Sequence, residues 1–317
     1  MKRIVLLVSG LLLSAFSLTA QTPQFVSTEP ANRNVVIEEF TGVNCGFCPD
    51  GHRIVREYQE ANPGRVFAIN IHQGGYAALY TTQWGDAIAN QTGLQGYPAG
   101  TVNRHLFSGS ATALSRDAFV SCGDQIKAMP SFVNVAAEAT IDASSRLLTV
   151  NVEAYYTGDA ETAENYINVA LLQDSIIGPQ SGGSNFNPTQ VTADGQYIHM
   201  HMLRHLLTGQ WGDQVTVEGS SVIPQGTLIQ RTYTYTLPGE ISNEVLKLSH
   251  LNIVVFVTRD HQEIYTGASC KPVVSNIPQL GAMSMGATAE NIYGCTEEVI
   301  PYISVMNLGE TPITAME

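Results

Sequence analysis

Residues 35–61 read VVIEEFTGVNCGFCPDGHRIVREYQEA and place two cysteines between a strand-like run and a helix-like run. The run from 35 to 40 is compact and rich in β-branched residues, which predicts a buried strand. In residues 49–61 apolar side chains recur at helical spacing, and residues 66–71 form a second β-branched run. The simplest interpretation is strand, helix, strand, with Cys45-Gly46-Phe47-Cys48 at the first junction.

The position of these cysteines favours redox chemistry. Pro49 lies near the first turn of the predicted helix, where unpaired N–H groups and the positive end of the helix dipole stabilise a thiolate. Such an environment lowers a thiol pKa from about 8.5 to between roughly 3.5 and 7.5. We therefore predict that Cys45 is the nucleophile and that Cys48 resolves a mixed disulfide formed on Cys45.

Two other interpretations of the cysteine pair stay open. A zinc site needs four ligands, and the sequence has no second close cysteine pair to complete one. An inert structural disulfide is compatible with an exported protein, although a two-residue loop gains little from chain entropy. We favour redox activity, with neither a metal site nor a cofactor.

The first part of the chain resembles the thioredoxin fold, on the strand at 35–40, the cysteine motif at a helix start, and Pro98, fifty residues after Cys48. The resemblance implies a cis Tyr97–Pro98 bond that faces the dithiol, with the Tyr97 backbone binding the substrate chain. We also predict that Phe47 contacts the substrate. The resemblance also implies that Glu39, six residues before Cys45, is a buried acid that takes the proton from Cys48.

Three residues leave parts of this assignment open. Glu39 could instead be a surface residue, because Glu38 and Glu39 alternate faces and we expect only one to point inward. Asn44 and Phe47 depart from the residues usual in that family, so the direction of electron flow is open.

From residue 131 the apolar pattern changes to period two, with a hairpin over residues 133–154 and further strands near 166–173, 227–237, 251–259 and 263–269. This predicts an antiparallel β-sandwich after an α/β domain. The predicted domains are 21–130 (thioredoxin-like), 131–275 (sandwich) and 276–317, a linker and the start of a further Ig-like β segment.

Composition and the N-terminus limit the function class. With 15 Lys plus Arg against 28 Asp plus Glu, a net charge of -13 offers no basic surface for nucleic acid. Lys2-Arg3, an apolar run over residues 4–16 and small residues before Gln21 predict a signal peptide at 1–20, and therefore export.

The remaining cysteines and histidines receive structural interpretations. Cys122 is expected to be a buried free thiol, and Cys270 could pair with Cys295. His52 shares a helical face with the cysteines; it either supports the thiolate or is a solvated surface residue, and we favour the surface. A further cluster contains His199, His201 and His205; its spacing is compatible with a metal site, but we favour ordinary interstrand contacts.

A resemblance covering more of the chain, to about residue 275, is to the Omp28-related outer membrane proteins of Bacteroidetes. It rests on residues 38–42, the run from Cys45 with Gly51-His52, the predicted sandwich and residues 197–204. It implies a thioredoxin-like domain joined to a β-sandwich and an association with the cell envelope.

We predict an envelope thiol-disulfide oxidoreductase in the periplasm, outer membrane or cell surface. Its partners are cysteine-containing envelope proteins or a redox partner protein, with no nucleic acid. The alternative is an outer-membrane-associated adhesion or assembly protein in which the cysteine pair is structural or vestigial.

Overall fold

The computed structural model describes residues 22–277, 284–288 and 302–306. The predicted signal peptide, residues 1–20, and Cys295 lie outside the described residues. No helix in the described part of the chain is long and apolar enough to cross a membrane.

The part of the chain before residue 130 alternates strands and helices, as the sequence predicts. Its strands are β1 (Ala31–Asn32), β2 (Val35–Thr41), β3 (Val66–His72), β4 (Ala99–Val102) and β5 (Leu114–Ser115), and its helices are α1 (Cys48–Ala61), α2 (Gly85–Gln91) and α3 (Phe119–Ala128). Every residue of β2 and β3 is buried. Both faces are covered, because α1 and α3 pack on one face of these strands and α2 packs on the other.

The part after residue 130 is almost entirely β. Its strands are β6 (Pro130–Ser131), β7 (Val133–Asp142), β8 (Leu147–Tyr156), β9 (Asn165–Gln173), β10 (Ile176–Gly178), β11 (Tyr197–His199), β12 (Met202–Leu206), β13 (Asp213–Val215), β14 (Leu228–Thr236), β15 (Glu240–Ile241), β16 (Glu244–Val245), β17 (Leu251–Arg259), β18 (Glu263–Cys270) and β19 (Val273–Ser275), with one short helix, α4 (Gly183–Phe186). The predicted hairpin is β7–β8, and the other predicted strands are β9, β14, β17 and β18. In the predicted C-terminal segment, β20 (Ser284–Thr288) pairs with β21 (Tyr302–Met306).

A nine-stranded sheet runs through both parts of the chain, in the order β18-β17-β9-β12-β3-β2-β4-β5 with β13 added to β9. The joint is β12, which pairs antiparallel with β9 and parallel with β3 through Met202 and Asn70. The Asn70 N–H also donates to the His201 carbonyl at 2.8 Å. The fold is mostly β with few helices.

Two apolar cores include strands of this sheet from the second half of the chain. A four-stranded sheet, β14-β8-β7-β19, packs against β9 and β17 and encloses an apolar core with them. A second core contains side chains from β2, β3 and α2 together with others from β9, β12 and β17. The boundary that we predict near Pro130 is therefore crossed by one sheet and one core.

The strand β4 ends at Val102, where the chain turns inward. Asn103 and Arg104 then take positive φ angles of 52° and 46°. The Asn103 side chain accepts from the Val36 N–H at 2.8 Å, and Arg104 turns inward to Glu38. These buried contacts end the strand.

Candidate functional site

Cys45 and Cys48 form a disulfide at the start of α1, with a Cα–Cα distance of 5.4 Å. Cys48 is the first residue of the helix and Pro49 follows it in the first turn, as predicted. Both sulfur-bearing residues are buried, Cys45 to 4 % exposure and Cys48 to 0 %. The disulfide is therefore closed to solvent in this conformation.

A segment from the second half of the chain, residues 179–187, packs against the loop that carries the cysteines, and we name it the strap. The Gln180 Nε2 donates to the carbonyls of Gly42 at 3.2 Å and Cys45 at 3.0 Å. The Ser181 N–H donates to the Val43 carbonyl at 2.8 Å. These bonds attach the strap to the loop that carries the cysteines.

At Gly182 the strap lies close to the backbone of Gly46. A Cβ at this residue would lie 1.9 Å from the carbonyl oxygen of Gly46, and the φ of +77° is one that glycine adopts readily. One turn further on, the Phe186 ring packs on Phe47, with ring centroids 5.1 Å apart. The sequence shows a turn at residues 181–183 but not which surface the turn covers.

Glu39 is fully buried, and neither carboxyl oxygen has a hydrogen-bond partner. A Cβ at Gly51, three residues after Cys48, would lie 2.1 Å from its Oε1, so the carboxyl sits against the first turns of α1. Burial raises the pKa of Glu39 well above its ordinary value, and Arg116 offsets part of this rise. The protonated form is therefore favoured, and the alternative of a surface Glu39 is wrong.

The neighbouring Glu38 is also buried, contrary to the expectation that only one of the pair points inward. It accepts from Arg104 at 2.7 and 2.6 Å, and both side chains are almost completely buried. The reason is the position of β2 between β3 and β4 with cover on both faces.

His52 is buried, so the predicted solvated position is wrong. Its ring nitrogens bond the hydroxyls of Thr41 and Tyr197, each at 3.0 Å, and Tyr197 belongs to β11 in the second half of the chain. Burial, with His199 and His201 nearby, lowers the pKa of His52 to about 3. A neutral imidazole supplies no positive charge to a thiolate, so the other interpretation of His52 also loses its support.

The Tyr97–Pro98 bond is cis, as the thioredoxin resemblance implies. Pro98 is buried, and its Cβ lies 3.6 Å from where a Cβ on Gly51 would be, which places it beside the first turns of α1. Tyr97 is half-buried, accepts from the Gln73 Nε2 at 2.5 Å and packs on the ring of Tyr76. The structure thus brings Glu39 and Pro98 together beside the helix that begins at Cys48.

The surface beside the disulfide carries exposed apolar side chains. Phe47 is 55 % exposed and Tyr76 is 52 % exposed. The Tyr76 carbonyl accepts from the Asn44 N–H at 3.1 Å, which fixes Tyr76 next to the cysteine loop. The Arg116 guanidinium lies 5.8 Å from the centroid of the Phe47 ring. Tyr76 is a neighbour of the site that the sequence pattern does not reveal.

The three histidines of the predicted cluster point to different places. His199 is buried against the rings of His72 and Tyr80, His201 pairs with Asp174 at 3.2 Å, and His205 stacks on Tyr235. Burial lowers the pKa of His199 to about 4 and that of His72 well below its ordinary value. Within residues 22–277, 284–288 and 302–306, no cluster of three or more potential ligands could hold a metal ion.

Two further cysteines are free thiols in the described part of the chain. Cys122 is buried, as predicted, and Cys270 is partly buried. Pairing of Cys270 with Cys295 lies outside the described residues.

The comparisons with known proteins give a family and a fold. The family described as outer membrane protein Omp28 matches residues 85–275, more than half of the chain but not the cysteine motif. No curated protein matches. HBP35 of Porphyromonas gingivalis has a similar structure, with a TM-score of 0.62 and 18% identity over 82% of this chain and 83% of that one.

Two other solved structures align less well. A domain of the outer membrane lipoprotein Omp28 from Porphyromonas gingivalis aligns with a TM-score of 0.30 and 17% identity, over 45% of this chain and 90% of that one. A protein from Agrobacterium tumefaciens aligns with a TM-score of 0.45 and 13% identity, over 79% of this chain and 98% of that one.

Proposed function

This chain belongs to the Omp28 family of outer membrane proteins, and we propose that it is a thiol-disulfide oxidoreductase of the cell envelope. It is exported, to the periplasm, the outer membrane or the cell surface. Its substrates are cysteine-containing envelope proteins. We further propose that residues 21–130 are a thioredoxin-like domain, on the arrangement of β2, α1, β3 and β4 with a cis-proline beside the cysteine helix.

The observation that carries the proposal is Glu39. A carboxyl that is completely buried without a hydrogen-bond partner is costly, and such groups concentrate at functional sites. A disulfide that served only to hold the chain together would gain nothing from an acid at this position. A protonated carboxyl beside the helix of Cys48 can instead donate to and accept from that sulfur as the disulfide opens and closes.

The exchange reaction proceeds in two steps in the oxidising direction. A substrate thiolate attacks the Cys45 sulfur, the Cys45–Cys48 bond breaks, and Cys48 leaves as a thiolate that takes the Glu39 proton. A second substrate thiolate then attacks the substrate sulfur of the mixed disulfide and releases the Cys45 thiolate. The substrate loses two electrons and the protein gains them, while the reverse sequence reduces a substrate disulfide.

In this proposal the strap moves before a substrate attacks Cys45, because Cys45 is only 4 % exposed when the strap is in place. The strap is held to the cysteine loop by few bonds, those of Gln180 and Ser181. In the proposed open state, Phe47, Tyr97 and Pro98 line the groove that receives the substrate chain. Phe47 provides the apolar contact, and the backbone of Tyr97 provides hydrogen bonds.

A second candidate function is adhesion or assembly at the envelope, with a structural disulfide. Its support is the nearly complete burial of Cys45 and Cys48 beneath the strap. A disulfide that no partner reaches is expected in such a protein.

An insulin-reduction assay on the mature protein with dithiothreitol as reductant separates the two candidates. The oxidoreductase accelerates insulin reduction, and Cys45→Ser abolishes the acceleration. The matched control is Cys122→Ser, since Cys122 is a buried free thiol away from the disulfide, and this variant should keep activity within about two-fold. A wild-type protein no faster than Cys45→Ser would favour the adhesion or assembly function.

A further inference from the structure

A cavity of about 370 Å³ with Glu39 in its lining lies between α1, the central strands and the second half of the chain. The strands contribute Glu39 and Asn70, and the helix contributes Val55 and Gln59. Met200 lies on the third side. The volume falls in the range of small-molecule sites in proteins.

Four buried oxygen atoms on these residues have no hydrogen-bond donor. They are both carboxyl oxygens of Glu39, the Oε1 of Gln59 and the Oδ1 of Asn70. Glu39 and Asn70 are direct partners in the register of β2 and β3, so their side chains project side by side from one face of the sheet. All four atoms can act as acceptors.

The donors of the same side chains are already used. The Asn70 Nδ2 donates to the Met200 carbonyl at 2.8 Å, which orients its Oδ1 away from that strand segment. The Gln59 Nε2 donates to the Val66 carbonyl at 3.5 Å. Rotation of either amide would break one bond to make another, so the unpaired acceptors are a consequence of how the residues are held.

The basic side chains at the cavity do not satisfy these acceptors. Arg56 lines the cavity, but its Nη1 donates to Asn187 at 2.8 Å and Thr189 at 2.9 Å. His52 also lines it, and both of its ring nitrogens are engaged by hydroxyls. When Glu39 is ionised, the cavity therefore presents four acceptors for which the described part of the chain provides no donor.

We infer that this cavity binds a small primary amine. The ammonium group has three N–H donors, which match the carboxyl of Glu39 and the amide oxygens of Asn70 and Gln59. Glu39 releases its proton to solvent as the ammonium enters, so that the buried pair carries no net charge. The carbon chain of the ligand lies against Val55 and Met200. This site shares the Glu39 carboxyl with the proposed function, but amine binding requires no reactivity of the disulfide, so the binding test and the exchange assay can fail separately.

Isothermal titration calorimetry with n-butylammonium chloride on the mature wild-type protein tests the inference. Two matched probes separate its parts: 1-butanol has a similar chain without the charge, and tetramethylammonium has the charge without N–H donors. We expect saturable binding of butylammonium and at least about ten-fold weaker binding of both other probes. The absence of saturable binding would overturn the inference, because the cavity would then hold water alone. Equal binding of 1-butanol would show that the site does not recognise the ammonium group, which would also overturn it.

Substitutions of the lining residues test which side chains bind the ammonium group. Glu39→Gln keeps the size of the side chain and should weaken butylammonium binding at least ten-fold. Gln59→Leu, on the partly exposed helix, should weaken butylammonium binding several-fold. It tests the site independently if Glu39→Gln does not fold. The control is Glu60→Gln, because Glu60 is a carboxylate at the same cavity with 68 % side-chain exposure. Equal losses in Glu60→Gln and Glu39→Gln would overturn the assignment.

Discussion

We predict that the strap controls access to Cys45, and Gly182 is the residue through which this can be tested. In Gly182→Ala the new Cβ would lie 1.9 Å from the Gly46 oxygen and 2.8 Å from its carbonyl carbon. Neither of these is the end of a flexible side chain, so the strap must shift. The φ of +77° adds the cost of a left-handed alanine, about 1–2 kcal/mol.

Together these terms destabilise the closed strap by at least about 2 kcal/mol. Where opening precedes attack on the disulfide, the reduction rate follows the open population. Since 1.36 kcal/mol corresponds to a factor of ten, 2 kcal/mol predicts reduction about 30-fold faster.

The assay is the pseudo-first-order rate of reduction of Cys45–Cys48 by dithiothreitol, followed by alkylation and mass spectrometry. The control is Gly226→Ala, because Gly226 also has a positive φ, +82°, but a Cβ there would meet nothing within 4 Å. An unchanged rate in Gly182→Ala, or the same acceleration in Gly226→Ala, would refute the role of the strap.

Two further predictions concern buried charge. The folded protein holds His52 and His199 at pKa values of about 3 and about 4, below the 6.5 of the unfolded chain, so the unfolded chain binds protons more readily below pH 6.5. Between pH 7.5 and pH 5, each of these histidines should lower the free energy of unfolding by about 2 kcal/mol. In urea unfolding, the free energy of His199→Gln should therefore fall by about 2 kcal/mol less over this range than that of the wild type. Glu39 acts in the opposite sense, because its raised pKa makes stability fall as pH rises above 4.5. Arg104→Leu leaves Glu38 buried without its partner and should cost about 3–5 kcal/mol, whereas removal of both charges in Glu38→Leu/Arg104→Leu should cost less; comparable losses in both variants would contradict this ion-pair reasoning.

Local patterns in the sequence predict most elements correctly. The β-branched run at 35–40 becomes β2, the helical spacing after Pro49 becomes α1, and the period-two pattern becomes the β7–β8 hairpin. Each of these rests on residues close in sequence, whose periodicity records which side faces a core. The thioredoxin resemblance adds Pro98, since no local pattern identifies a cis bond.

The contacts that sequence periodicity missed join residues far apart in the chain. The helical spacing of His52 favours a position on the surface, yet Tyr197, 145 residues away, packs against its ring and contributes to its burial. The buried Glu38 is paired by Arg104, 66 residues later, which turns inward to meet it. The strap has the composition of a polar, glycine-containing turn, yet it packs against a loop more than 130 residues earlier in the chain. No alternation of apolar residues encodes such pairings.

The most direct test of thiol exchange is the trapping of a mixed disulfide by the Cys48→Ala protein in the cell envelope. Without Cys48 the partner on Cys45 cannot be released by internal attack, so disulfide-linked adducts with envelope proteins should accumulate. Reductant should cleave these adducts. The control is Cys45→Ala/Cys48→Ala, which retains Cys122 and Cys270 but lacks the nucleophile. Adducts that appear in Cys48→Ala and not in the double variant are the predicted result, and equal adducts in the two, or none in either, would contradict the oxidoreductase function.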